Sequence, residues 1–257
     1  MPNNPHIVAV IPARLASTRL PRKVLRQICG EPMLGWVYRA ARDCAQLDEI
    51  LIATDSTEVL DFAESRGWKG VLTPASCASG TDRIHHVAQS FPADIYVNIQ
   101  GDEPLLRREH IEALLLPFAR SDHEALAPAA EERVQVTTLA TPCALADVAN
   151  PNVVKVVLAN SGRALYFSRA AVPFDRDHTG APHYLKHLGL YGYRKTALDR
   201  FPALPPSALE SAERLEQLRF LQNGIDITVE ITPHDTIGVD TEEDLRAVEA
   251  ILLSRRS

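Results

Sequence analysis

Short apolar runs that alternate with helical-period segments constrain this chain most. His6–Ile11, Ile50–Ala53, Gly70–Thr73 and Ile95–Gln100 each read as a strand. Between and after them, apolar residues recur at helical spacing: Met33, Val37, Ala40, Ala41 and Cys44, then Val59, Leu60 and Ala63, then Ile84, Val87 and Ala88, and later Ile111, Leu114, Leu115 and Phe118. Such β-α-β alternation buries its strands in a mostly parallel central sheet covered by helices, so the expected class is α/β. At 257 residues with 46% hydrophobic content, the chain can build one large domain or two small ones.

From about Val134 the pattern turns strand-rich, with Val134–Leu139, Val153–Leu158, Ala164–Phe167 and His187–Tyr193 as expected strands of an insertion on the sheet. Pro202–Pro206 reads as a loop entering a helix over Leu209–Leu221. Ile225, Ile227, Val229 and Ile231 alternate as in a half-buried strand. Thr241-Glu-Glu-Asp244 has the form of a capping box before a last helix carrying Leu245, Val248 and Leu252.

Ligands of parallel sheets sit beyond the carboxyl ends of the strands. The first of those ends is unusual. The chain holds 33 acidic residues against 27 Lys and Arg, yet its first thirty residues contain no Asp or Glu. Directly after the first strand come Arg14, Arg19, Arg22, Lys23 and Arg26, with Ser17 and Thr18 among them. This is either a solvated basic loop or the seat of a small polyanion such as a polyphosphate. Gln100-Gly-Asp-Glu-Pro104 places Asp102 at a strand terminus, and Gly238-Val-Asp240 sets a second carboxylate just before the last helix, as a metal ligand or a helix cap. Two carboxylates beside a basic loop suit Mg2+, which takes one or two protein carboxylates and completes its shell with water and phosphate oxygens.

A net charge of −6 argues against nucleic acid as a general partner and against membrane-surface binding. Cys29, Cys44, Cys77 and Cys143 form no C-x-x-C pair, and no segment approaches transmembrane length, so a cytoplasmic protein with reduced thiols and no membrane insertion is expected. The first strand lacks the G-x-G-x-x-G turn of NAD-dependent oxidoreductases. His183 and His187 have no third ligand at a spacing that would suggest zinc.

The blocks IPARLASTRLPRK, ATD, SGTDR, NIQGDEP, NPNVVKVV, ALYFSRAAVPFDRD, YLKHLGLYGYR, LESAERLEQLRFL and GVDTEEDL span nearly the whole chain in order. With them the chain resembles the 3-deoxy-manno-octulosonate (Kdo) cytidylyltransferases. That resemblance implies a nucleotide-diphospho-sugar transferase-like three-layer fold as a single domain over 1–257, with a dimerisation and sugar-site elaboration at about 134–193. It implies transfer of CMP from CTP to the anomeric hydroxyl of Kdo, giving CMP-Kdo and pyrophosphate for lipopolysaccharide, with Mg2+ as cofactor and a homodimer as the assembly. A sialic acid or an amino-substituted Kdo is the alternative acceptor.

By the same resemblance, Arg14, Ser17, Arg19 and Lys23 hold the triphosphate, and Ser79, Gly80 and Arg83 line the cytosine and ribose side. Asp102 and Asp240 hold the metal, and with Arg14 and Lys23 they form the catalytic set. Gln100, Arg169, His187, Tyr191 and Glu216 surround the sugar acid. Read as residues alone, Ser79–Asp82 is a turn and helix cap, and Glu210, Glu213 and Glu216 with Arg214 and Arg219 are a solvated helix face with pairs such as Glu210–Arg214. Period-two alternation puts His187 and Tyr191 on one strand face. The chain departs from the family's Gly-Lys-Pro at Arg22-Lys23-Val24, where the loss of Gly limits left-handed backbone.

Overall fold

The computed structural model describes residues 4–17, 19–77, 79–123, 133–177, 183–205 and 207–255; Thr18 of the basic loop and residues 178–182 lie outside them. In chain order the elements are β1 (Ile7–Pro12), a hairpin of β2 (Gln27–Ile28) and β3 (Glu31–Pro32), α1 (Met33–Arg42), β4 (Glu49–Thr54), α2 (Thr57–Ser65), β5 (Lys69–Leu72), α3 (Gly80–Ala88), β6 (Ile95–Asn98) and α4 (Arg108–His123). There follow β7 (Val136–Pro142), β8 (Lys155–Leu158), β9 (Ala164–Ser168), β10 (Leu185–Arg194), α5 (Lys195–Arg200), α6 (Ala208–Glu213), α7 (Leu218–Gln222), β11 (Ile227–Ile231) and α8 (Glu242–Ser254). Each expected strand is present, its ends moved by a few residues. Two compact units result, Met1–Glu112 with Asp235–Ser257, and Ala113–His234.

In the first unit four strands pair in parallel in the order β6-β1-β4-β5. Ile7–Ile11 of β1 are all buried, as a central parallel strand covered on both faces requires. The chain steps outward from β1 to β4 and β5, then returns through α3 to lay β6 on the other side of β1. The change of direction falls beside β1, and such a switch point opens a crevice beyond the carboxyl ends of the two strands that diverge there.

Three helices of this unit start where side chains replace missing backbone partners. Ser56 accepts from Val59 N at α2, and reciprocal capping boxes, Ser79 with Asp82 and Thr241 with Asp244, start α3 and α8. The C-terminal return belongs to this unit because Val239, Leu245, Val248 and Leu252 share a buried cluster with Leu20, Ile28, Met33 and Leu105.

In the second unit β11 pairs in parallel with β7, while β7-β10, β10-β8 and β8-β9 are antiparallel. The expected helix over Leu209–Leu221 is two helices. Arg214 caps α6 in the left-handed conformation (φ 56°, ψ 45°), which no helix continues through. Glu210 accordingly pairs with Arg219 (2.5 Å) rather than with Arg214. The loop expected at Pro202–Pro206 begins as a 3-10 turn, Phe201–Ala203, that continues α5, where Pro202 sits in a first turn needing no N–H from it. A bulge between Leu188 and Tyr191 interrupts β10. It adds an even number of residues, so His187 and Tyr191 stay neighbours, with ring centroids 5.5 Å apart.

Candidate active site

The cationic loop is shaped by what it buries. Leu20 and Val24 enter the core at 1% and 3% exposure, which pins the chain on either side of Arg22 and Lys23. Arg22 takes the left-handed conformation (φ 58°, ψ 33°) that a non-glycine was expected to limit, at a cost of roughly 1–2 kcal/mol. That geometry starts the 3-10 turn Lys23–Leu25, and the Arg22 guanidinium pairs with Glu58 of α2.

Beyond the ends of β1 and β6, Arg14, Ser17, Arg19, Lys23, Gly80, Gln100, Asp102 and Asp240 line one cavity of about 370 Å³. Lys23 Nζ donates to Asp102 Oδ2 (2.5 Å) and Asp240 Oδ1 (2.9 Å), and Arg19 Nη2 donates to Asp240 Oδ2 (2.8 Å). The Lys23 side chain is 13% exposed. Burial lowers its pKa, but the two carboxylates outweigh burial and raise it above the usual lysine value. Asp240 moves the other way. Burial raises its carboxyl pKa, and Lys23 and Arg19 together hold it below the ordinary aspartate value.

Asp240 is not the cap of α8. Thr241 has that role, leaving the Asp240 carboxylate to the cavity. Val239 N donates to the Asp102 carbonyl (2.9 Å), so backbone as well as charge joins the two acids. Two carboxylates converging on a single cationic nitrogen form a donor pair that also suits Mg2+. Among the described residues no three His, Cys, Asp or Glu side chains cluster to hold a metal, so a cation here would need water or substrate oxygens to fill its shell.

Gly101 allows β6 to end against β1. A Cβ there would lie 2.7 Å from the Pro12 carbonyl oxygen, inside any allowed contact. Gly101→Ala is expected to push the Asp102 turn away from β1, lowering stability by about 1 kcal/mol and reducing turnover as well. Urea unfolding and steady-state rates on one preparation check this; a variant with wild-type values in both would mean that the turn tolerates the methyl.

The nucleotide-side residues divide. Ser79 is the cap of α3, and Gly80 lines the cavity. Arg83 is fully buried, bonded to the Thr73 hydroxyl and to Asp55 Oδ2 (3.1 Å), so its guanidinium braces the ends of β4 and β5. Arg14 donates to the Cys77 carbonyl.

In the second unit His187 bonds Thr138 Oγ1 (3.0 Å) and meets the Phe167 ring edge-on, and burial holds its imidazole pKa down to about 3. Burial raises the Tyr191 phenol, with Tyr193 and Glu216 adding to the shift. Arg169 Nε donates to the Glu213 carbonyl (2.7 Å) and Nη1 to the Pro151 carbonyl (2.9 Å). Two residues outside the expected set hold that segment. Glu213 accepts from Ser168 Oγ (2.6 Å) and Arg169 N (2.9 Å), and the fully buried Lys155 spends its ammonium on the carbonyls of Asn150, Val153 and Arg169. In sequence Glu213 reads as one of three acids on a solvated face, and Lys155 lies inside the expected strand Val153–Leu158 with no role of its own. Nothing local distinguishes such residues before their partners are known.

A cytidylyltransferase family model matches residues 8–227. The chain is 62% identical over 251 residues to a 3-deoxy-manno-octulosonate cytidylyltransferase of Acidobacterium capsulatum, covering 98% of each. It is 58% identical over 248 residues to one from Koribacter versatilis, covering 96% of this chain and 90% of the relative. Among solved structures, a CMP:2-keto-3-deoxy-manno-octonic acid synthetase complexed with CTP superposes with a TM-score of 0.89 at 39% identity, covering 97% of this chain and 99% of the other.

Proposed function

The chain belongs to the 3-deoxy-manno-octulosonate cytidylyltransferase family, and from that premise we propose how its residues transfer CMP from CTP to Kdo. The observation that carries the reading is the Lys23 ammonium held between Asp102 and Asp240 in a cavity bordered by Arg14 and Arg19. The anomeric hydroxyl oxygen of Kdo forms a bond to the α-phosphorus of CTP. The bond from that phosphorus to the bridging oxygen breaks, the hydroxyl proton goes to solvent, and pyrophosphate leaves.

This chemistry needs alignment and charge neutralisation more than a protein base. Arg14, Arg19 and Lys23 offset the triphosphate charge, and Ser17 adds a neutral donor. Ser79, Gly80 and Arg83 form the cytosine and ribose side, Arg83 by bracing it. Asp102 and Asp240 are the residues that would hold Mg2+, which when bound neutralises phosphate charge and lowers the pKa of the attacking hydroxyl. For the sugar acid we assign Gln100, Arg169, His187, Tyr191 and Glu216. The product is destined for lipopolysaccharide, and the enzyme works in the cytoplasm as a homodimer.

Pyrophosphate release, measured with each of the four ribonucleoside triphosphates against Kdo, an amino-substituted Kdo and a sialic acid, tests the reading. CTP with Kdo should give the highest rate, and chelation of divalent ions should abolish it. A higher rate with a sialic acid or the amino sugar would reassign the acceptor, and full activity in chelator would remove the metal.

A further inference from the structure

A second cavity of about 370 Å³ in the first unit is formed by α1, the start of α4 and the end of α8. Four arginines line it, Arg39, Arg107, Arg108 and Arg255, against two acids, Asp43 and Glu109, in a chain of net charge −6. Arg39 stacks over Trp36, and Arg108 pairs with Glu109 (3.4 Å). Arg107 and Arg255 differ from these: among the described residues neither guanidinium has a carboxylate partner. Both border the same cavity, Arg107 half-buried and Arg255 exposed, and partial burial first and the charge of Arg107 second lower the Arg255 pKa.

The position of Arg107 is unfavourable by itself. It immediately precedes α4, where the helix dipole already presents positive charge, so an unpaired cation there is repelled by the dipole and by Arg255 alike. Arg255, at the C-terminal end of α8, offsets that helix's dipole, but Arg107 has no such compensation. A cavity lined by four arginines against two acids, at the N-terminus of a helix, carries an excess of positive charge that an anionic ligand would offset. We propose that this cavity binds a phosphate-class oxyanion, either free pyrophosphate or the phosphate group of a phosphorylated metabolite, at a site separate from the one that contains Lys23. Forked guanidinium donors on two sides suit the several oxygens of such a group.

Calorimetric titration of the full chain with inorganic pyrophosphate in EDTA tests this, in an Arg14→Ala/Lys23→Ala background that disables the first cavity. One saturable site should remain, and adding Arg107→Gln with Arg255→Gln should weaken it by about tenfold or more. CMP in place of pyrophosphate distinguishes the sources: saturation by both supports recognition of a phosphate group in general, and saturation by pyrophosphate alone supports the inorganic ion. Thermal unfolding without ligand separates a binding role from a structural one, because removing a repelling pair should leave Tm unchanged or raise it. The proposal is overturned by no saturable heat in the disabled background, by unchanged affinity after both arginines are lost, or by a lowered Tm of the ligand-free Gln variant.

Discussion

Asp102→Asn and Asp240→Asn each lower turnover by roughly 10²–10³-fold while the chain stays folded. The expectation follows from how the two acids are held. Asn has nearly the shape of Asp and still accepts a hydrogen bond from Lys23, whereas the backbone around both sites is fixed by Leu20, Val24, Leu105 and Val239, which the substitutions do not touch. What changes is charge in a cavity where it counts for more than in water. Because both carboxylates face one ammonium, they act as a unit, and the double variant should be little worse than the worse of the two single ones. Single-turnover rates at saturating CTP and Kdo, with circular dichroism to verify the fold, measure it. Wild-type rates in either variant would take that carboxylate out of the reaction.

Acid weakens the protein through His187. Its folded pKa is held down to about 3 by burial of the ring, while in the unfolded chain it returns to about 6.5. Between those values the unfolded state binds the extra proton, so stability rises with pH across that window and falls as the medium is acidified. The loss approaches 1.4 kcal/mol per pH unit below about pH 6.5, or about 3 kcal/mol between pH 7 and pH 4, and levels off near pH 3. Asp240, whose pKa is depressed, adds its own loss only at lower pH, as the solution falls through the ordinary aspartate range and below. His187→Gln keeps a polar atom for Thr138 and removes the titration. Urea unfolding at several pH values should therefore show a flatter profile for the variant. Parallel profiles for the two chains would mean that the folded imidazole takes up its proton as readily as the unfolded one.

Much of the first unit was legible because local signals coincide there: continuous apolar runs for buried parallel strands, serine and threonine caps three residues ahead of aspartates, and a stretch whose charge opposes that of the rest of the chain. The convergence of Arg14, Lys23 and Asp102 could be read from the rule for strand ends, whereas Asp240, which precedes the last helix, was joined to them by its carboxylate chemistry and by the family resemblance. The failures occur where backbone geometry overrides residue type. Arg214 interrupts a segment of good helix formers by turning left-handed, and Arg22 adopts the same conformation in place of the expected glycine. Neither choice leaves a mark on periodicity. Glu213 and Lys155 show the other failure, since a polar side chain buried among carbonyls looks in sequence like one in water.

The pairing of Lys23 with Asp240 also has an order in time. The two residues stand 217 positions apart, and Asp240 is held beside the cluster in which Val239 and α8 pack with Leu20 and Met33. A growing chain on the ribosome can thus assemble β1, the cationic loop and Asp102 long before it owns a second carboxylate. Until that last stretch emerges, Lys23 has half its counter-charge, and on the roles proposed above a nascent chain should fall well short of full turnover however well its sheet has formed.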